Sequence, residues 1–355
     1  MSEVQAAPAP DKPSVGAVRA NNRFDVASLE AWLKPRLDDL EGPLEIQQFN
    51  RGASNPTFLL SDGQKRWVLR KKPPGQLLAS AHQVDREFRV MKALGTTGFP
   101  VPVMRVLCED ENVIGQAFYV MDFLEGRIFR DARLPGLPPS ERGAIYDDLN
   151  ATLARLHGVD WRAAGLEDYG RPGNYFERQI GRWTRQYRGA QTEHIPDMER
   201  LIEALPARIP ADDTVTIAHG DYRPENVMFH LTEPRIVAVL DWELSTLGNP
   251  LADFTYLLMN WVNGAISTIP DLTAHGIPTI DEYVAEYCRL TGRDGLPELD
   301  WYFAYNGFRL AGILQGIVGR VRDGTANSPQ AHAQAERVPG LANMAWTYAQ
   351  RAGAK

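Results

Sequence analysis

The chain has 355 residues, of which 44% are hydrophobic and 23% are charged, a composition typical of a globular protein with a packed core. Its 38 basic and 45 acidic residues give a formal net charge of −7, which argues against a general nucleic-acid-binding protein, because such proteins are basic. The two cysteines, Cys108 and Cys288, form neither a disulfide framework nor a zinc motif. No apolar run is long enough for a membrane span. We therefore expect a cytoplasmic protein without nucleic-acid or membrane partners.

The N-terminal segment, residues 1–22, is rich in Ala, Pro and Val. It lacks the basic and apolar regions of a signal peptide, so it predicts a disordered tail. The next segment, 25–37, predicts a helix, because Val26, Leu29, Trp32 and Leu33 recur on one face.

Three strands are predicted over 44–49, 57–60 and 66–70, joined by two turn-rich segments into an antiparallel meander. The first turn contains Gly52, Ser54 and Asn55. Glycine and small polar residues allow backbone N–H groups to approach a phosphate. This turn is therefore a candidate phosphate-covering loop, although an ordinary hairpin turn explains the same residues equally well.

Two cations lie at the end of the third strand. Because strand side chains alternate, Arg70 and Lys72 share a face, where either could reach nucleotide phosphates or remain solvated. The helix predicted next, over 81–94, has an apolar stripe that includes Val84 and Phe88. Glu87 lies beside this stripe, either as a solvated flank or as an ion-pair partner for a strand cation.

Two further strands, over 103–107 and 116–121, complete a small β-rich lobe that we assign to residues 23–124. The remainder, residues 125–355, has the 3.6-residue periodicity of helices. We predict helices over 141–157, 176–187, 198–208, 251–262, 280–290, 301–321 and 341–351.

One stretch carries the chemistry. His219-Gly220-Asp221 is followed by Asn226, by two short apolar runs at 227–229 and 236–240, and by Asp241. Two antiparallel strands would bring Asn226 and Asp241 together. An amide and a carboxylate supply the hard oxygen ligands that suit Mg²⁺, which leaves Asp221 as a base. The same spacing occurs in the catalytic loop of protein kinases, and no Walker A, G-x-S-x-G, H-E-x-x-H or C-x-x-C motif competes with it.

Taken together, these motifs resemble the aminoglycoside phosphotransferase and choline kinase superfamily. The segments that carry this resemblance are His219–Asn226, Asp241-Trp242-Glu243, Gly248-Asn249-Pro250 and Leu251-Ala252-Asp253. More narrowly, the chain looks like the kinase-like domain fused to certain acyl-CoA dehydrogenases and its free-standing bacterial relatives, on the segments 54–57, 69–75, 169–175 and 241–246. The resemblance implies a protein-kinase-like α+β fold, with a small antiparallel β-rich N-lobe and a larger, mainly helical C-lobe.

The resemblance also implies roles for individual residues. Asp221 matches the catalytic base, Asn226 and Asp241 match the Mg²⁺ ligands, and Glu87 matches the helix acid that orients the strand cation. Arg70 stands where many members have lysine, so either Arg70 or Lys72 is expected to contact the phosphates of ATP.

Further roles follow from the same resemblance. The segment 120–124 matches the hinge beside adenine, which makes Asp122 and Leu124 candidate nucleotide contacts. His219 and Asp253 match residues that brace the catalytic loop.

The acceptor is expected to be a small hydroxylated metabolite. Relatives of the narrower group are implicated in phosphorylating hydroxylated acyl chains, notably 4-hydroxy acids as CoA thioesters. The segment 169–188 contains several arginines and, within its helix, only Glu177 as an acid, which favours an anionic acceptor over a polycationic aminoglycoside. A solvated helix face explains the same arginines. The candidate substrate contacts are Tyr175, Arg178, Arg182, Glu243 and Arg309.

Two alternatives remain open. One is an aminoglycoside or choline-like small-molecule kinase. The other is a non-catalytic kinase-like nucleotide-binding protein, which we disfavour because such proteins usually lose the base or a metal ligand, whereas Asp221, Asn226 and Asp241 are all present.

Overall fold

The computed structural model describes residues 14–50, 55–74, 83–324 and 331–355. These residues divide into two compact units. The first takes the described residues through Arg155, together with Val159–Tyr169 and Arg223–Ser245. The second takes Leu156–Gly158, Gly170–Tyr222 and the described residues from Thr246 onwards.

The strands of the described residues are β1 (Val15–Gly16), β2 (Glu45–Phe49), β3 (Thr57–Ser61), β4 (Arg66–Lys71), β5 (Met104–Cys108), β6 (Phe118–Asp122), β7 (Arg127–Ile128), β8 (Thr216–Ala218), β9 (Val227–Phe229), β10 (Ile236–Val239) and β11 (Thr246–Gly248). The α-helices are α1 (Val26–Leu33), α2 (Val84–Thr96), α3 (Pro139–His157), α4 (Tyr175–Ala190), α5 (Pro196–Ala204), α6 (Pro250–Asn263), α7 (Ile280–Thr291), α8 (Leu299–Arg322) and α9 (Ala331–Arg351). The predicted combination of antiparallel strands followed by helices is confirmed.

The first unit is built on a six-stranded antiparallel sheet with the order β1-β2-β3-β4-β6-β5. Alternation along β3 directs Phe58 and Leu60 into the core, where both are fully buried. Leu29 and Leu33 of α1 pack into the same core, and the Asp25 side chain caps α1 by accepting a hydrogen bond from the Ala27 N–H.

The predicted disordered tail does not extend to residue 22. Val15 of β1 pairs with Phe49 of β2, and a 3₁₀ turn covers Ala20–Asn22. A two-residue strand is too short to show alternation, and its order comes from pairing with a distant strand, so the sequence carried no local signal for it. Residues 1–13 lie outside the described residues.

The compact units also differ from the lobes that we predicted on either side of residue 124. The hairpin of β9 and β10 pairs through β9 with β7 in a second small sheet. This pairing connects residues 223–245 to the first unit, whereas His219 and Asp221 lie in the second. The chain therefore passes from one unit to the other between Tyr222 and Arg223.

The second unit is a helical assembly around α8, which packs against α4, α6 and α9. Glycine permits the close approach of α8 to α4, because a Cβ at Gly319 would lie 2.6 Å from the Cβ of Ala190. The short strands β8 and β11 pair antiparallel, and β8 ends directly before His219. Among the described residues, no helix combines the length and apolarity needed to cross a membrane.

Candidate active site

A cavity of about 380 Å³ lies within the first unit. It is lined mainly by apolar side chains, with two arginines and several oxygen-bearing side chains at the other positions. Residues that line it include Val68, Arg70, Met121, Asp122, Leu124, Asn226, Met228, Leu240 and Asp241. Its volume is in the range of small-molecule sites. The strand cation Arg70, the two expected hinge residues and the two expected metal ligands thus line one cavity.

Arg70 is one of two arginines that line this cavity, the other being Arg130. Its Nη2 lies 2.7 Å from Oδ1 of Asp241, its Nε lies 3.1 Å from Oε2 of Glu87, and Glu243 lies 3.8 Å away. Burial alone would lower the pKa of Arg70, but Glu87, Tyr119 and Asp241 raise it above its ordinary value. Arg70 is therefore a charged side chain held among carboxylates, and its ion pair with Glu87 agrees with the predicted pairing of strand cation and helix acid.

Glu87 is the buried end of this network, with a side chain that is 1% exposed. It accepts hydrogen bonds from Nδ2 of Asn55 at 2.8 Å and from the hydroxyl of Tyr119 at 3.1 Å. Burial raises the pKa of Glu87 to about 7, and the charge of Arg70 opposes that shift. These partners fix the carboxylate that orients Arg70.

The sequence reasoning missed Tyr119. It lies directly opposite Arg70 in the pairing of β4 with β6, and it is buried. A register assignment between these two strands would have identified it, but the residues of one strand alone do not.

The hairpin of β9 and β10 brings Asn226 and Asp241 together. The Leu240 N–H donates to the Asn226 carbonyl at 2.8 Å, and Val239 pairs with Val227. Asp241 adopts a left-handed conformation with φ of 64°, which for a residue other than glycine costs about 1–3 kcal/mol and is characteristic of functional sites. The antiparallel hairpin that we predicted from the two apolar runs is confirmed.

The donor set of this cavity fits a magnesium ion bound with a nucleotide. Within the described ranges, no group of three or more His, Cys, Asp and Glu side chains is arranged for a metal. Mg²⁺ in phosphate-transfer sites needs only one or two protein carboxylates, because phosphates and waters supply the other oxygens. Asn226 and Asp241 both line the cavity, and the Asp241 side chain is 36% exposed.

Other predicted nucleotide residues have different surroundings. Gly52 and Ser54 lie outside the described residues, and the side-chain N–H of Asn55 is engaged by Glu87. Lys72 is not among the residues that line the cavity. The carboxylate of Asp122 binds Arg105, with Nε 2.5 Å from Oδ1, and Asp122 and Leu124 both line the cavity.

In the second unit, Asp253 organises the loop that carries Asp221. Its carboxylate accepts hydrogen bonds from the backbone N–H groups of His219 and Gly220. Burial alone would raise the pKa of Asp253, but His157, His219 and the Gly220 N–H hold it below its ordinary value. Asp253 sits in the first turn of α6, where the helix dipole favours a negative charge. These contacts hold the backbone of His219 and Gly220.

Two residues behind Asp253 had no role in the sequence analysis. His157, the last residue of α3, lies with Nε2 3.7 Å from Oδ2 of Asp253 and with Nδ1 2.7 Å from the hydroxyl of Tyr287. Burial lowers the pKa of His157. Since α3 and α7 are far apart in sequence, no local pattern could have joined them.

The candidate substrate residues have different surroundings. Tyr175 is buried and packs against Gly248, where a Cβ would lie 2.6 Å from its ring. Arg178 donates to the backbone carbonyls of Gly173 and Arg171. Arg182 is exposed.

The remaining two candidates are buried or partly buried. Glu243 lies near Arg70 with a side chain that is 26% exposed. Arg309 is buried and donates to the carbonyl of Gly220.

Comparisons with known proteins show the family to which the chain belongs. Residues 45–302 match the model of a phosphotransferase enzyme family. Acyl-CoA dehydrogenase family member 10 of Mus musculus is 42% identical over 348 residues, which covers 96% of this chain and 33% of that protein. The chain therefore spans about a third of the length of this curated relative.

Solved structures extend the similarity. A Ralstonia eutropha JMP134 protein, provisionally named an aminoglycoside phosphotransferase, has 48% identity and a TM-score of 0.85, with coverage of 93% of this chain and 99% of that one. A thermostable mutant of aminoglycoside phosphotransferase APH(4)-Ia, solved with ADP and hygromycin B, has a TM-score of 0.59 at 16% identity and covers 92% and 99%. This second likeness confirms the kinase-like fold. The chain belongs to the phosphotransferase enzyme family.

Proposed function

We propose that this chain is an ATP- and Mg²⁺-dependent kinase that phosphorylates a hydroxyl group of a small anionic or acyl metabolite, such as a hydroxy acid or a hydroxyacyl-CoA. The observation that carries the proposal is the lining of one cavity by Arg70, Asn226 and Asp241. A cation and two hard oxygen donors beside an apolar wall are what a magnesium–nucleotide complex requires.

In this proposal ATP occupies the cavity of the first unit, with adenine beside the hinge backbone near Asp122 and Leu124. Asn226 and Asp241 would hold Mg²⁺, which when bound neutralises charge on the phosphate oxygens. Arg70 offsets the remaining negative charge, and it is the better candidate than Lys72 because it lines the cavity. An arginine remains charged and can bind phosphate in a bidentate manner.

Asp221 acts as the base. The acceptor oxygen forms a bond to the γ-phosphorus, the bond from that phosphorus to the ADP oxygen breaks, and the acceptor proton passes to the Asp221 carboxylate. The backbone contacts of Asp253 fix the loop that carries Asp221, so little reorganisation is needed during transfer.

The acceptor class rests on the exposed side of α4. Arg178, Arg182 and Arg185 follow one another at helical spacing and share a face. Arg182 and Arg185 are exposed, and in the described part of the chain neither has a carboxylate within 4 Å. Unpaired arginines favour a carboxylate or phosphate on the substrate. The similarity to a protein named as an acyl-CoA dehydrogenase family member supports an acyl substrate.

A screen of ATP consumption tests this proposal, with hydroxy acids, hydroxyacyl-CoAs, choline-like alcohols and aminoglycosides as acceptors. We expect turnover with an anionic acceptor and a phosphorylated product in its mass spectrum. Turnover only with cationic acceptors would contradict the proposed anionic acceptor and would indicate a cationic one. No turnover, combined with no effect of Mg·ATP on the melting temperature, would favour a non-catalytic protein.

A further inference from the structure

Arg309 of α8 is a buried guanidinium that the proposed reaction has not yet used. It is 5% exposed and donates a hydrogen bond to the backbone carbonyl of Gly220. Among the described residues it has no carboxylate within 4 Å. A buried charge without an ion pair is costly unless other groups compensate it, so its retention calls for an explanation.

The compensation comes from aromatic rings and from the catalytic loop. The guanidinium carbon lies 4.7 Å from the ring centre of Tyr256 and 5.8 Å from that of Trp183, within reach of cation–π attraction. Burial alone would lower the pKa of Arg309, but Tyr305, Tyr256, Tyr175 and Asp221 raise it above its ordinary value. The side chain is therefore a fixed cation, held by α4 and α6 on its flanks.

The carbonyl that Arg309 binds belongs to the peptide group joining Gly220 to Asp221. The N–H of the same peptide group, on Asp221, donates to Nδ1 of His219 at 3.1 Å. Both polar ends of this peptide are therefore held. Gly220 has φ of 84°, a conformation that glycine adopts without strain, so the peptide plane depends on these contacts.

We propose that Arg309 is a positioning residue for phosphoryl transfer: it fixes the Gly220–Asp221 peptide and thereby the direction of the Asp221 carboxylate. This inference rests on the proposed function of Asp221. It also revises the predicted role of Arg309 as a substrate contact, because the guanidinium is buried and bound to the loop.

The test compares Arg309→Gln and Arg309→Lys with Arg322→Gln in the full chain. Arg322 is a matched control, because it lies on the same helix and also donates to backbone carbonyls, those of Gln191 and Gly189. Amide hydrogen exchange over residues 216–226 needs no acceptor. We expect faster exchange there in Arg309→Gln, smaller acceleration in Arg309→Lys, and none in Arg322→Gln.

Kinetics provide the second arm, with Mg·ATP and water or an anionic alcohol as acceptor. We expect kcat to fall by about 100-fold in Arg309→Gln, the size of effect that misplacement of a reacting group produces, with KM for ATP unchanged and partial rescue by lysine. Unchanged exchange in the loop, or loosening spread equally over α4 and α6, would overturn the positioning role. Absence of turnover in the wild-type protein would count against the proposed function. The hydrogen-exchange measurement would still decide the role of Arg309.

Discussion

Arg70 of the first unit and Arg309 of the second are both largely buried, but their partners are opposite in kind. Arg70 has the carboxylates of Glu87, Asp241 and Glu243 within 4 Å. Arg309 has no carboxylate within 4 Å among the described residues. Its guanidinium instead lies near two aromatic rings and donates a hydrogen bond to a backbone carbonyl.

The difference suggests which cation can change partners. Asp241 is both a partner of Arg70 and a proposed metal ligand, so binding of Mg·ATP would give Arg70 phosphate oxygens in exchange for a carboxylate. Arg309 has no ionic partner to exchange, and its contacts hold a loop in place. We therefore expect substitutions near Arg70 to change nucleotide binding, and substitutions near Arg309 to change the rate of transfer.

The largest effect is expected for Asp221→Asn, at the residue that Arg309 positions. Loss of a general base typically costs about 10²–10⁴-fold in rate, so kcat should fall within this range while the melting temperature stays close to that of the wild type. Steady-state kinetics and thermal unfolding measure both. Asp168→Asn, an exposed acid paired with Arg89, is the control, and equal turnover in the two variants would remove Asp221 from the base role.

The next effect concerns Arg70, which would exchange a carboxylate for phosphate oxygens when Mg·ATP binds. Arg70→Gln should weaken Mg·ATP binding by about 30-fold, or ~2 kcal/mol, because the charge pair between Arg70 and the phosphates of ATP loses one partner. Isothermal titration calorimetry measures the affinity. The matching variant Lys72→Gln should lose much less. A larger loss in Lys72→Gln would assign the phosphates to Lys72 and would remove the contrast between the two buried arginines.

A smaller effect is expected on the exposed face of α4. Arg182→Gln combined with Arg185→Gln should raise KM for an anionic acceptor by about tenfold, or ~1.4 kcal/mol, with kcat unchanged. The effect should shrink in high salt, because exposed charges are screened. Arg188→Gln is the control, since Arg188 is paired with Glu199 at 2.8 Å. An unchanged KM would mean that these arginines form a solvated face.

The smallest effect is expected for Tyr119→Phe. Removal of one hydrogen bond to Glu87 should lower the free energy of unfolding by about 1 kcal/mol, with Mg·ATP binding nearly unchanged because Arg70 and Asn55 still hold the carboxylate. Urea denaturation measures this. Tyr302→Phe is the control, because the Tyr302 hydroxyl is buried without a hydrogen-bond partner in the described part of the chain. An equal decrease in the free energy of unfolding in both variants would mean that the hydrogen bond from Tyr119 to Glu87 does not contribute to stability.

The sequence predicted those parts of the molecule that local pattern encodes. Alternation revealed the strands around Arg70, and two apolar runs of the right length placed Asn226 beside Asp241. Turn residues and helical periodicity are properties of neighbouring positions, so they can be recognised in one sequence.

Contacts between distant elements could not be predicted in this way. Arg309 and Gly220 are 89 residues apart, and Tyr119 meets Glu87 across a separation of 32 residues. Which face of α8 points towards the loop depends on the packing of several helices. The sequence therefore suggested Arg309 as a candidate substrate contact on the late helix, and the positioning role that we propose comes from the contacts that it makes.

The most direct test of the central claim measures ATP consumption with a matched pair of alcohols that differ only in bearing a carboxylate or an amine. Wild-type enzyme and Asp221→Asn are compared in the presence of Mg²⁺. We expect rapid consumption with the carboxylated alcohol, slow consumption with the amine, and loss of the rapid reaction in Asp221→Asn. Equal rates in wild type and Asp221→Asn, or a preference for the amine, would contradict the account.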